Sequence, residues 1–289
     1  MIKTCLYDSC VNDFWGLLKP RVMSLVVFTG FCGLWLAPGT IQPIIGFAAI
    51  LSLAMGAGAA GCLNMWWERD LDALMRRTAD RPLPARRVDP DTALAFGLVL
   101  SSGSVLMMMV VVNALAAFLL AFTIVYYVLI YTAFLKPRTA QSIVIGGAAG
   151  ALPPVIGWAS VTGTASLEAW VLFLIIFLWT PAHFWALSLH CSDDYKKAGI
   201  PMLPCLRGTR STKNQIFIYT VLTVLSSYLP VYLQMTGPLY LVAASFLGLG
   251  FVCFSAAVCL FGRHPLALFS YSIVYLFLIF LALVLCLQA

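Results

Sequence analysis

Nine runs of about twenty apolar residues constrain this chain more than any other feature, because each can cross the hydrocarbon core of a bilayer. They fall at residues 20–38, 42–63, 93–112, 115–134, 142–160, 170–189, 214–234, 239–261 and 266–287. A backbone in lipid must satisfy its own hydrogen bonds, which a contiguous apolar run does as a helix. Composition agrees. Of the 289 residues 62% are hydrophobic and 10% charged, against about 25% charged in a soluble protein. The expected fold is an all-α membrane protein: one polytopic domain over 1–289, with nine transmembrane helices around a central cavity. Turn-forming stretches such as "APGTIQP", "LKPRT", "TGTASLE", "MTGP" and "GRHP" separate the runs.

All seventeen Lys and Arg fall on one side of this arrangement: the N-terminal tail, 64–92, 136–138, 190–213 and Arg263. The opposite turns hold no basic residue and a single acid, Glu168. The positive-inside rule then predicts a cytoplasmic N-terminus, cytoplasmic loops at 64–92 and 190–213, and a periplasmic C-terminus. The net charge of +6 reflects that orientation rather than a nucleic-acid partner, although the clustering in two loops still asks for an anionic ligand. The first residues, "MIKTCLYDSCVNDFWGLLKPRV", resemble neither a signal nor a transit peptide, which favours a bacterial inner membrane. The nine cysteines are scattered and read as small hydrophobes. Cys191 and Cys205 lack zinc-type spacing.

The second run closes on "NMWWERDLDALMRRTADRP". Asn64, Glu68 and Asp72 recur at i, i+4 and i+8, so a helix continuing past the membrane boundary presents them on one face over roughly 12 Å. Arg76 extends the row, while Arg69 and Asp70 point elsewhere. Acids at a membrane boundary are costly and usually functional. A second acidic segment, Asp193-Asp194-Tyr195-Lys196-Lys197, follows the sixth run. It is a faint echo of the first, as two four-helix units facing one cavity would produce. Carboxylates flanked by arginine suit Mg²⁺ together with phosphate oxygens, so the local chemistry reads as carboxylate, Mg²⁺ and diphosphate. The substrate would carry a diphosphate head and an apolar tail. A solvated, salt-bridged loop is the bland alternative.

These stretches resemble a known family. "NMWWERDLDALMRRTADRP" is similar to the Asn/Asp-rich first motif of intramembrane prenyltransferases, the superfamily of 4-hydroxybenzoate polyprenyltransferase. "LLKPRVMSLVVFTG", "YTAFLKPRTAQSIVIGGAAGALPPVIGWASVTG", "WTPAHFWALSL" and "DDYKKAGIPMLP" resemble its protoheme IX farnesyltransferase branch, over about residues 14–215. The pattern departs at Glu68, where the family has aspartate. The resemblance implies transfer of the farnesyl group of farnesyl diphosphate to a vinyl group of haem b, with water addition and pyrophosphate release, assisted by Mg²⁺. It implies Asn64, Glu68, Asp72 and Asp194 as catalytic metal-side groups, with Asp193 beside them. Arg69, Arg76, Arg77, Lys136, Arg138 and Lys197 become diphosphate-clamp candidates, with Lys19 and Arg21 behind them. Tyr126, Tyr127 and Tyr131 would face the allylic cation. Lys196, Arg207 and Arg210 would meet haem propionates. Besides the lipid bilayer, the partners implied are proteins of haem A synthesis or terminal-oxidase assembly.

His183 lies inside the sixth run. The resemblance makes it a candidate haem contact, whereas an intramembrane histidine is commonly hydrogen-bonded within the bundle. His190, seven residues on and on nearly the same face, is a weaker candidate, and His264 reads as structural. "GAGAAG" at 56–61 and "GGAAG" at 146–150 read first as close helix packing, then as room for a macrocycle. A sister enzyme with a quinone-precursor acceptor is the nearest alternative reading. A cation-coupled transporter is the alternative from another class, but it should carry its ionisable residues near the midplane, and here they gather at one rim.

Overall fold

Proline starts five of the long helices: Pro20, Pro43, Pro90, Pro238 and Pro265 each take the first helical position, where a missing N–H costs nothing. The computed structural model describes residues 9–287. In chain order the helices are α1 (Val11–Leu17), α2 (Pro20–Leu36), α3 (Pro43–Ala73), α4 (Pro90–Val112), α5 (Ala114–Leu135) and α6 (Ser142–Thr162). After them come α7 (Leu167–His190), α8 (Ser192–Lys197), α9 (Leu203–Tyr232), α10 (Pro238–Phe261) and α11 (Pro265–Leu285). Among the described residues, eight helices are long and apolar enough to span a membrane, or nine if the pair α1 and α2, bent by 55°, forms one span. The sole β contact there is an isolated bridge between Thr236 and Leu287.

Two boundaries matter for the site. The helix of the second run continues past residue 63, as the row at 64, 68 and 72 requires: α3 is unbroken to Ala73 and has 31 residues. At 1.5 Å per residue that is about 46 Å, well beyond a core of about 30 Å, so its last turns stand clear of the hydrocarbon. The expected second loop, 190–213, is largely helical, formed by α8 and the start of α9, which is broken at Gly208 (φ 77°). The echo between the two acidic segments is therefore not structural. The first rides a continuous helix; the second sits on a separate six-residue helix.

Close packing falls where glycine permits it. A Cβ on Gly33 would collide with the Pro154 backbone, and one on Gly157 with the Gly30 carbonyl, so α2 lies directly against the Pro153–Thr162 half of α6. Gly146, in "GGAAG", receives the Tyr131 ring, and its neighbour Gly147 faces Thr180. That stretch packs helices rather than opening a slot.

The bundle sorts its charges by end. At one end Asn113 Nδ2 donates to the Ala159 carbonyl at 2.8 Å, Gly39 faces Val161, and Thr236 bridges to Leu287. The connections there, 37–42, 163–166 and 233–237, hold no Lys or Arg. The opposite end gathers Lys19, Asp72, Arg81, Lys136 and Tyr195. Lys3, also counted on the basic side, lies outside the described residues.

Candidate active site

The row Asn64, Glu68 and Asp72 forms as its spacing predicts, but it is buried, with 3%, 4% and 1% exposure. A solvated loop is thereby excluded. Buried carboxylates need partners, and each member of the row has a cation from a different segment. Lys19 Nζ donates to Asn64 Oδ1 at 2.5 Å, Lys136 Nζ lies 2.5 Å from Glu68 Oε1, and Arg81 Nη1 donates to Asp72 Oδ2 at 2.6 Å. The Lys136 approach is off the hydrogen-bond direction, so Glu68 Oε1 is ion-paired without a hydrogen bond. Asn64 is held from its other side, its Nδ2 donating to Thr132 Oγ1 at 2.9 Å. Lys19, Lys136 and Arg81 thus surround the row with basic side chains of the kind a diphosphate site uses.

Only one of these three cations heads the expected set. Lys136 comes from the segment after α5. Lys19, ranked low with Arg21, occupies the elbow between α1 and α2 in the left-handed region (φ 52°, ψ 56°), a conformation costing roughly 1–2 kcal/mol for a residue with a Cβ. Arg21, two residues on, has no charged partner among the described contacts. Arg81 was missed altogether. Because α3 stops at Ala73, Arg76 lies past the helix end and is exposed, so it cannot extend the row. The 74–88 turn instead folds back: Thr78 Oγ1 donates to the Asp72 carbonyl at 2.8 Å, which brings Arg81 over the carboxylate. The closing pair Arg81-Pro82 is the only sequence mark of that return.

The remaining candidates divide. Tyr127 and Tyr131 lie within electrostatic range of Glu68. Tyr126 does not join them; its hydroxyl donates to the Ile145 carbonyl at 2.9 Å and its ring rests on Phe122. These residues lie on a π-helical stretch, Tyr126–Leu135. There Thr132 Oγ1 donates to the Tyr127 carbonyl and Lys136 N to that of Tyr131. This wider winding stacks Thr132 beside Tyr127 and Lys136 beside Tyr131, so that the four share one side of the helix, while Tyr126 stands one residue off it. Such windings are frequent at functional sites. Arg69 folds onto its own helix, donating to the Trp66 carbonyl and lying over the Trp66 ring. Arg138 likewise turns back to the Phe134 carbonyl and ring.

From the second acidic segment it is Tyr195 that turns inward, within electrostatic range of Glu68. Tyr195 is buried and contacts Arg77. Burial pushes its hydroxyl pKa up, while the Arg77 guanidinium pulls it back. Asp193 and Lys197 are exposed and Asp194 is half-buried. Among the described residues no three His, Cys, Asp or Glu side chains converge as a metal cage, so the expected cluster of four acids is not assembled. Mg²⁺ still fits the row. Asn64, Glu68 and Asp72 offer hard oxygen donors on one helix face, Glu68 Oε1 is buried without a hydrogen bond, and this ion binds through one or two carboxylates completed by phosphate oxygens.

His183 belongs to the core. Its ring stacks between Trp179 and Phe269, with centroids 4.2 and 4.4 Å away, and Nδ1 shares a hydrogen bond with Ser272 Oγ at 2.7 Å. Trp179 Nε1 donates to the Ser272 carbonyl at 2.8 Å. The histidine ties α7 to α11 and is too enclosed to ligate a substrate there.

Comparison with known proteins gives the family and the fold. The UbiA prenyltransferase family matches residues 26–265. A protein of Sinorhizobium fredii named protoheme IX farnesyltransferase is 56% identical, covering 96% of this chain and 89% of its own length. One of Rickettsia bellii with the same name is 53% identical, covering 96% and 94%. Among solved structures, a digeranylgeranylglyceryl phosphate synthase superposes with a TM-score of 0.76 at 16% identity, covering 96% of this chain and 98% of that one. A UbiA homolog from Archaeoglobus fulgidus bound to GPP and Mg²⁺ gives 0.67 at 14% identity, covering 94% and 99%. At such identities the likeness shows a shared fold.

Proposed function

The chain belongs to the UbiA prenyltransferase family, and from that premise we propose that it farnesylates a vinyl group of haem b to give haem O. What carries the reading is the buried Asn64–Glu68–Asp72 row faced by three cations, in a chain more than half identical to proteins named for this reaction. Asn64, Glu68 and Asp72 would hold Mg²⁺. When bound, the ion neutralises charge on the leaving diphosphate.

The chain's own residues do the rest. Lys19, Arg81 and Lys136 give up their carboxylate and amide partners to grip the diphosphate oxygens, so that charge develops against preorganised donors. As the C–O bond breaks, its electron pair leaves with pyrophosphate. The π faces of Tyr127 and Tyr131 stabilise the allylic cation until the acceptor captures it. The vinyl electrons of haem b form the new C–C bond, and the carbon left electron-deficient takes up water, which releases its proton to solvent. Asn64, tied to Thr132, and Tyr195, tied to Arg77, keep the two sides of the pocket in register.

Mass spectrometry tests the reading directly. Purified protein in lipid, given haem b, Mg²⁺ and farnesyl diphosphate, should yield a haem heavier by one farnesyl group and one hydroxyl group. Prenylation of a phenolic acid in place of haem would overturn the acceptor.

We place the charged end in the cytoplasm of a bacterial inner membrane, following the excess of Lys and Arg at that end. In a background lacking reactive native thiols, Asp80→Cys and Arg207→Cys should react with an impermeant maleimide only from the cytoplasmic side, and Thr164→Cys only from outside. Labelling of 80 and 207 from opposite sides would separate the two acidic segments and end the shared-pocket mechanism.

A further inference from the structure

Two of the three cations at the row arrive on short segments rather than on spans. Lys19 is the elbow that follows α1, and Arg81 belongs to the 74–88 turn. These segments meet each other away from the row. Arg87 Nε donates to Asp13 Oδ1 at 2.7 Å, and Arg87 Nη2 donates to the Asp80 carbonyl at 2.8 Å. The second oxygen of Asp13 accepts from Cys10 N at 3.2 Å and Cys10 Sγ at 3.1 Å. Asp13 is almost enclosed, with 8% of its side chain exposed, while Arg87 is 44% exposed. An apolar joint lies beneath the pair. Leu17 of α1 is fully buried with Leu83, Val88, Cys62 and Met65, and Phe14 meets Phe96 edge-on at 5.3 Å.

The apolar joint already holds α1 down, so the ion pair is not needed for burial. An enclosed carboxylate is costly to bury and weak evidence for stability, but a charge pair fixes relative placement in a way that sliding apolar surfaces do not. The two partners are separated by 74 residues, and each stands a few residues from a cation of the pocket: Asp13 six before Lys19, Arg87 six after Arg81. Neither touches the row.

We propose that Asp13 and Arg87 are positioning residues for prenyl transfer: their ion pair locks α1 to the 74–88 turn, and so sets together the places from which Lys19 and Arg81 reach the diphosphate. This rests on the reading of the row as the diphosphate site. With the lock intact the two cations move as one unit between their row partners and the substrate. Without it each wanders with its own segment, and the pocket loses preorganisation toward the diphosphate but not toward the acceptor.

The test titrates the full-length protein in lipid nanodiscs with farnesyl thiodiphosphate and Mg²⁺, and separately with haem b, alongside steady-state KM and kcat. Asp13→Asn and Arg87→Met should each weaken analogue binding and raise KM for farnesyl diphosphate about tenfold. Haem affinity should stay close to that of the wild type, and Arg87→Lys should restore most of the loss. The neutral pair Asp13→Asn with Arg87→Gln strands no charge, so it reports on the lock even where a single substitution fails to fold; it too should bind the analogue several-fold more weakly. A purely structural role would lower the unfolding temperature while folded molecules bound both ligands normally, and that result overturns the proposal. So does equal weakening toward both ligands. If the wild type binds no analogue, the diphosphate reading falls and this one with it; if the wild type binds and the variants match it, the lock alone falls.

Discussion

Asp72→Asn should lower kcat/KM for farnesyl transfer by roughly a thousandfold, with the protein still inserted and folded. The substitution keeps shape and removes one charge from the most deeply buried member of the row. The amide can neither neutralise a divalent cation nor form an ion pair with Arg81. Folding survives because Arg81 is 23% exposed on its side chain and can turn to solvent instead of remaining as a buried unpaired charge. The check is turnover measured beside the monodispersity of the detergent extract. Undiminished turnover in well-folded protein would remove Asp72 from the metal side of the site.

The second large effect separates two arginines five residues apart. Arg81→Ala should lose about a hundredfold in kcat/KM, because it removes a charge-assisted donor aimed at the developing negative charge and strands Asp72, 1% exposed, without its partner. Arg76→Ala should stay near wild type, since Arg76 is exposed beyond the end of α3. Reading the row as a simple helical stripe predicts the reverse. Parallel kinetics on the two variants decide between them, and equal losses would mean that the 74–88 turn is arranged differently when substrate is bound.

The contrast between these arginines marks the line between what was legible in the residues and what was not. Spacing alone established that Asn64, Glu68 and Asp72 share a face, because an unbroken α3 imposes its period on them. Apolar run lengths placed the spans, and proline and turn residues marked their starts. The one-sided placement of Lys and Arg anticipated that Lys19, Arg81 and Lys136 would gather at one end of the bundle. In lipid each span must satisfy its own backbone, so the rules that govern it are local and survive in a linear string.

What surrounds the row is not local. Lys19 reaches Asn64 across 45 residues, and Asn64 reaches Thr132 across 68. The π-helical winding after Val125 sets Thr132 beside Tyr127 and Lys136 beside Tyr131, where a count at 3.6 residues per turn would separate each pair by about 140°. Tyr195 comes within electrostatic range of Glu68 on α8, a separate helix whose orientation its own six residues do not decide. His183, for which the residues left both a haem contact and a hydrogen bond within the bundle open, is a stacked, hydrogen-bonded joint in the fold. Sequence by itself determined the membrane architecture, the family likeness and the acidic row, all set by period and composition along one helix at a time. Tertiary structure alone decided which cations face that row and which aromatics close over it, because those contacts join segments whose meeting is settled by packing between helices.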